Sequence, residues 1–243
     1  MSKSKLAVII LAAGKGTRMN SELPKVLHTI NNKPMILNVI KCAYQINAKP
    51  IITIIGYKYQ LIKEALKNED VEFALQEQQN GTAHAVIQCE SKLKEFDGNV
   101  LVLSGDVPFI SPQTLKSLIK THIESNSKAS LLTCELDDPS GYGRIIKKGN
   151  NTLKKIIEHK DASEEELKET EINTGIYIFN SFELFKILPQ INNKNKQKEY
   201  YLTDVINILL DNNESVFVQR TTNTNEIIGI NTLEQLENAN NAC

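Results

Sequence analysis

The sequence predicts an α/β fold: a Rossmann-like, mostly parallel sheet with helices on both faces, joined after about residue 137 by a smaller mixed β region. Three observations predict it. Short apolar runs alternate with amphipathic stretches up to Glu135, the rhythm of strand–helix units in a parallel sheet. The first run, Leu6-Ala-Val-Ile-Ile-Leu11, is apolar throughout, as in a strand covered on both faces. Beyond Asp137 the runs shorten and polar turns separate them.

Taken in order, Lys5–Leu11 is the first strand, and a polar loop leads to Pro34. Proline suits a first helical turn, and Ile36, Val39, Ile40, Ala43 and Tyr44 follow at helical spacing. Ile51–Ile55 and Val71–Leu75 are strands flanking a helix marked by Leu61, Ile62, Ala65 and Leu66. Gly81–Phe96 reads as one helix with Ala85, Val86, Cys89, Leu93 and Phe96 on a face. Val100–Leu103 is the fourth strand. Ser111-Pro112 is an N-cap with proline behind it, opening a helix to about Ser125. Ala129–Glu135, Arg144–Lys147, Lys154–Glu158, Thr174–Phe179 and Ser215–Gln219 read as strands. Ser181–Leu188, Leu202–Leu210 and Leu233–Asn240 read as helices, and the polar run Asn192–Lys198 as a mobile loop. No internal repeat is present.

Composition narrows the classes of function. Lys and Arg number 28 against 29 Asp and Glu, a net charge of -1. A protein that grips a nucleic-acid backbone shows a basic excess, so no nucleic-acid partner is expected. No apolar run reaches the roughly 20 residues of a bilayer span, so no membrane partner is expected either. Lys3 and Lys5 before the first apolar run imitate a signal peptide, but Gly14-Lys-Gly-Thr-Arg18 behind it favours a buried strand. Cys42, Cys89, Cys134 and Cys243 are too scattered for a zinc or redox pair. They read as free buried thiols of a cytoplasmic protein. His28, His84, His122 and His159 show no metal or triad spacing and read as structural or solvent-facing.

The loop after the first strand carries Gly14, Gly16, Lys15, Arg18, Pro24 and Lys25. Glycines that turn backbone N–H groups outward, together with cations, describe a polyphosphate cradle. The P-loop and dinucleotide signatures do not fit, since Lys15 sits between the glycines and Met19 stands where the dinucleotide motif needs glycine. A plain connecting turn is the other reading. Asp106 follows the fourth strand, where α/β sheets bind ligands. A carboxylate facing phosphates needs a cation between them, and Mg²⁺ takes this ligand set. A turn aspartate is the alternative. Gln76 offers a donor and an acceptor to a pyrimidine edge, or with Gly81-Thr82 it is an ordinary helix start. Arginine occurs only at Arg18, Arg144 and Arg220 in this lysine-rich chain, and such retained arginines point to a need for the planar fork.

Gly14-Lys-Gly-Thr-Arg-Met19 with Pro24-Lys25 resembles the GxGTxMxxxxPK signature of nucleoside-diphosphate-sugar pyrophosphorylases. Gln76…Gly81-Thr82, Ser104-Gly-Asp-Val-Pro108, Asp137-Asp-Pro-Ser-Gly-Tyr-Gly-Arg144, Glu158-His-Lys-Asp-Ala162, Glu171-Ile-Asn-Thr-Gly175, Glu199-Tyr-Tyr-Leu-Thr-Asp204 and Gly229-Ile-Asn231 follow in that order. They are similar to the uridylyltransferase domains of the bacterial N-acetylglucosamine-1-phosphate uridylyltransferases, over about Leu6 to Asn231. The resemblance implies a nucleotide-diphospho-sugar transferase fold in one domain over 1–243. Within it 1–110 would be the nucleotide half, 111–231 the sugar half and 232–243 a C-terminal helix and tail. It implies UMP transfer from UTP to N-acetylglucosamine 1-phosphate with Mg²⁺, giving pyrophosphate and UDP-N-acetylglucosamine, a precursor of peptidoglycan and lipopolysaccharide.

Arg18 and Lys25 would then be catalytic. Leu11, Ala12, Ala13, Gly14, Gln76, Gly81 and Thr82 would hold the nucleotide. Ser104, Gly105, Gly143, Glu158 and Asn173 would hold the sugar, and Asp106 and Asn231 the metal. Ser104 departs from relatives that carry an aromatic residue there. The hexapeptide repeats of an acetyltransferase domain are absent from these residues, so acetyl transfer and its trimer are not expected, and a monomer or weak oligomer is. The alternatives are the same chemistry on glucose 1-phosphate with UTP or dTTP, and a non-catalytic nucleotide-sugar sensor.

Overall fold

A computed structural model describes residues 5–93, 95–149 and 152–241. The elements in order are β1 (Leu6–Ala12), β2 (Thr29–Ile30), β3 (Lys33–Pro34), α1 (Met35–Gln45), β4 (Ile51–Ile55), α2 (Tyr59–Ala65), β5 (Glu72–Leu75), α3 (Thr82–Ile87), α4 (Glu90–Leu93) and β6 (Asn99–Ser104). Then come α5 (Pro112–Glu124), β7 (Ala129–Glu135), β8 (Arg144–Lys148), β9 (Thr152–Ile157), β10 (Glu171–Asn180), α6 (Ser181–Ile187), α7 (Thr203–Asp211), β11 (Val216–Thr221) and α8 (Leu233–Asn241).

Among the described residues nine strands form one sheet in the order β11-β7-β10-β6-β1-β4-β5, with the β8–β9 hairpin joined to it through β10. β1 pairs in parallel with β4 on one side and β6 on the other. The order therefore reverses at β1 and opens a crevice beyond its carboxyl end. β4–β5 and β7–β11 are also parallel. β10 is antiparallel to both β6 and β7. The mixed region expected after residue 137 is thus not a separate patch, because its longest strand is threaded into the middle of the main sheet.

The apolar runs divide between two faces. Ala7, Ile9, Ile52, Ile54, Val100 and Val102 pack beneath α3, α6 and α7. Val8, Ile10, Ile51, Ile55, Leu101 and Leu103 pack beneath α1, α2 and α5. Alternate residues of one strand go to opposite cores, which is why these strands read as unbroken apolar runs. Ser111 caps α5 as expected, accepting from the Thr114 N–H.

Three elements differ from expectation. The polar loop before α1 carries the β2–β3 hairpin, and Pro34 ends β3 instead of entering the helix, which starts at Met35. The single helix over Gly81–Phe96 is α3 and α4, because the Gln88 and Cys89 N–H groups bond three residues back, to Ala85 and Val86. That tightened turn keeps Val86, Cys89 and Leu93 all in the core. The strand expected from Thr174 begins at Glu171, with a register shift between Asn173 and Tyr177. Cys42, Cys89 and Cys134 are free and buried, while Cys243 lies outside the described residues. The 192–198 segment has no regular structure, yet Asn195 brackets Glu199 through both its backbone groups.

Candidate active site

A cleft of about 300 Å³ opens at the carboxyl ends of β1 and β6. Leu11, Ala12, Ala13 and Gly14 line it, with Gln76 after β5, Gly81 and Thr82 at the start of α3, Lys25, Ser104 and Asp106. Gly16 turns the loop in the left-handed region at φ 64°. A Cβ there would fall 2.5 Å from the Lys25 Cβ, so glycine lets the Lys25 segment lie against the loop. Gly81 has φ 108°, and a Cβ on it would meet the Tyr200 backbone at 2.5 Å. Its smallness serves another stretch of chain.

At one edge of the cleft four predicted side chains converge. Lys25 Nζ forms an ion pair with Asp106 Oδ2 and donates to Asn231 Oδ1 at 2.9 Å. Arg18 donates to the same Oδ1 at 2.9 Å. Asn231 is held by its own turn, with its N–H on Gln235 Oε1 at 2.7 Å and its Nδ2 on the Gly229 carbonyl at 3.0 Å. The Ile230 N–H bonds the Asp106 carbonyl at 2.9 Å, which seats this late segment on the β6 exit. α8 then docks on the β2–β3 hairpin through Ala239, Ile30 and Met35.

A second cleft of about 210 Å³ shares Leu11, Thr82 and Ser104 with the first. Gly143, Glu158, Asn173, Tyr142, Tyr177 and Thr203 line it as well. Asn173 sits at the bulge in β10, where Gly175 takes φ 77°. Bulges re-aim side chains, and here Asn173 Nδ2 donates to the Tyr177 hydroxyl at 2.6 Å. Glu158 Oε1 accepts from Thr203 Oγ1 at 3.1 Å. Burial pushes the Glu158 carboxyl above its ordinary value, and the nearby acids Asp204, Asp161 and Glu199 push it further. Tyr142 is raised by burial first, with Asp106 adding to the shift.

Arg144 is fully buried. Its guanidinium donates to the Pro139 carbonyl at 2.7 Å and to the Tyr142 carbonyl. Both bonds leave from Nη1, which therefore holds the 139–143 turn in place, while Nε is buried without a partner among the described residues. Arg220 makes an exposed ion pair with Glu135.

Gly105 is the predicted sugar residue that lines neither cleft. It is buried in the strand pair instead, with its N–H on the Leu11 carbonyl at 2.9 Å. Several lining residues carried no role at the sequence level: Gln79, Ala85 and Glu199 in the first cleft, Tyr142, Tyr177 and Thr203 in the second. Glu199-Tyr-Tyr-Leu-Thr203 ties the clefts together. The Ala83 N–H bonds the Tyr200 carbonyl at 2.9 Å, and the Leu202 N–H bonds Thr82 Oγ1 at 2.9 Å. Its place among the family-like motifs was the available signal. His84, read as structural or solvent-facing, lies 3.1 Å from the Gln76 amide. His122 is core, bonded to Ser130 and Asn99.

The sequence profile of the nucleotidyl transferase family matches residues 7–225. The chain belongs to that family. Among curated relatives, a bifunctional protein GlmU of Streptococcus uberis is 48% identical over 92% of this chain and 48% of its own length. One of Listeria monocytogenes is 45% identical over 94% and 50%. The chain thus spans about half the length of the curated relatives it matches. A UDP-glucose pyrophosphorylase crystallised with UDP-glucose is 19% identical, with a TM-score of 0.77 over 98% of each chain, and shares the fold. No helix among the described residues is long and apolar enough to cross a membrane.

Proposed function

We propose that this chain transfers UMP from UTP to N-acetyl-α-D-glucosamine 1-phosphate, releasing pyrophosphate and UDP-N-acetylglucosamine, in the cytoplasm and as a monomer or weak oligomer. The observation that carries the reading is the pair of clefts with a common wall at Leu11, Thr82 and Ser104, one edged by Lys25 and Asp106 and the other by Glu158 and Asn173. A nucleoside triphosphate in the first and a sugar phosphate in the second would meet at that wall. The motifs similar to those of the N-acetylglucosamine-1-phosphate uridylyltransferases support the choice of substrates, and the relatives named GlmU agree with it.

Phosphoryl-type transfer needs positioning and charge neutralisation, not a protein nucleophile. The sugar phosphate oxygen would attack the α-phosphorus in line. Lys25 and Arg18 would take up the charge that develops on the leaving pyrophosphate. Gln76, Gly81 and Thr82 would hold the base. Glu158 and Asn173 would offer an acceptor and a fixed amide to the hydroxyl and acetamido groups of the sugar.

Asp106 Oδ2 and Asn231 Oδ1 already converge on one cation, the Lys25 ammonium. Among the described residues no group of three or more His, Cys, Asp or Glu could hold a metal ion. The Asp106 carboxylate and the Asn231 carboxamide oxygen are hard donors that Mg²⁺ accepts, with its other ligands drawn from substrate phosphates and water. Bound there, it would neutralise phosphate charge and orient the α-phosphate. Lys25 would have to release both oxygens and turn to the phosphates.

The test is pyrophosphate release from UTP and Mg²⁺ with N-acetylglucosamine 1-phosphate, glucosamine 1-phosphate and glucose 1-phosphate in parallel. Release with the acetylated sugar alone is expected. Release with a different sugar alone overturns the specificity, and no release with any overturns the activity.

A further inference from the structure

We infer that His84 is a positioning residue that selects the base, by fixing which end of the Gln76 amide faces the nucleotide cleft. The inference rests on the uridine nucleotide reading proposed above. Gln76 is buried, 3% exposed, and lines the cleft. Its Nε2 lies 3.1 Å from the Gly81 carbonyl and 3.1 Å from His84 Nδ1. A carbonyl oxygen only accepts, so the amide nitrogen faces it. Each of the two Nε2 hydrogens then has one partner, and His84 Nδ1 must accept, which places the imidazole proton on Nε2. No protein partner remains for Gln76 Oε1 among the described residues, so the acceptor end is the one left for a ligand.

That polarity decides between pyrimidines. Uracil presents N3–H, a donor that matches Oε1. Cytosine presents N3 as a bare acceptor, and two acceptors would face each other. A turned amide would reverse the preference. The turn would set Oε1 against the Gly81 carbonyl, which only accepts, and the imidazole could meet it only by moving its proton from Nε2 to Nδ1. Without His84 the carbonyl alone opposes the turn.

The imidazole is itself held. His84 sits in α3 with its carbonyl accepting from Gln88 Nε2 at 2.9 Å. Its ring lies 6.3 Å from that of Tyr200 at an interplanar angle of 33°. The Tyr200 carbonyl also takes the Ala83 N–H. The 199–203 segment therefore orients the residue that orients Gln76.

The experiment measures kcat/KM for UTP and for CTP, with N-acetylglucosamine 1-phosphate as acceptor, in wild type, His84→Leu and His84→Asn. Leucine fills the space without an acceptor, while the asparagine Oδ1 stands near the place of Nδ1. Thermal melting confirms that each variant is folded. The expected result is a UTP over CTP ratio about tenfold lower in His84→Leu, the scale of one lost hydrogen bond, and kept within about threefold by His84→Asn. An unchanged ratio in a folded His84→Leu, with both nucleotides impaired alike, shows a structural role and overturns the inference alone. A wild type that does not favour UTP overturns the uridine reading and the inference with it.

Discussion

The two clefts share a wall but are built by different means. The first draws on two short stretches of chain, Leu11–Gly14 and Gln76–Thr82, with cations set at its edge. The second gathers single side chains from β10, α7, the end of β9 and the turn before β8. A triphosphate carries diffuse charge, and backbone donors with a few mobile cations suffice for it. Apart from its phosphate, the sugar of the proposed acceptor offers only hydroxyls and an amide, so each of those contacts needs a fixed partner. The first cleft is expected to govern rate, and the second affinity for the acceptor.

Substitutions can break that division, the most damaging first. Asp106→Asn is expected to lower turnover by about 10²–10³-fold without loss of fold, as read by steady-state kinetics and melting. Lys25→Ala is expected to lower kcat by about 10²-fold while raising the UTP KM far less. A change in KM alone would move Lys25 to the binding side. Glu158→Ala is expected to raise the sugar phosphate KM about tenfold and to spare UTP binding. Equal losses would mean that the clefts are not separable.

Arg144→Leu removes the Nη1 donor that holds the 139–143 turn. Its expected cost is ~2 kcal/mol, or about 4–8 °C in Tm, with a several-fold rise in sugar phosphate KM. The smallest effect lies outside both clefts. Burial lowers His122 from 6.5 to about 4. As pH falls through that window the unfolded chain takes a proton that the folded chain refuses, so stability is lost. Melting should show a steeper fall from about pH 6.5 to about pH 4 in wild type than in His122→Gln, the span between the unfolded and folded values.

Legibility in the sequence follows the same division. The strands of the parallel half were readable because both of their faces are buried, and the first cleft because its residues are neighbours along the chain. Asn173 could be placed beside a strand, but its aim depends on a bulge and on Gly175, which period-two patterning does not carry. β10 could be seen as a strand, yet its insertion between β6 and β7 is a pairing choice that local sequence does not encode. The break between α3 and α4 escaped notice because Val86, Cys89 and Leu93 keep a spacing that a continuous helix also satisfies. The role of His84 is not legible along the chain because its partner, Gln76, belongs to the exit of another strand.

Asn231 lies 213 positions from Arg18 and 206 from Lys25, the two cations it holds. The Gly-rich loop is synthesised long before that residue, whereas Glu199 and Thr203, which complete the two clefts, come shortly ahead of it. A chain ending ahead of Gly229 would lack the oxygen that gathers the two cations. The earliest loop of the fold thus waits on a late stretch of the chain for the group that fixes its cations.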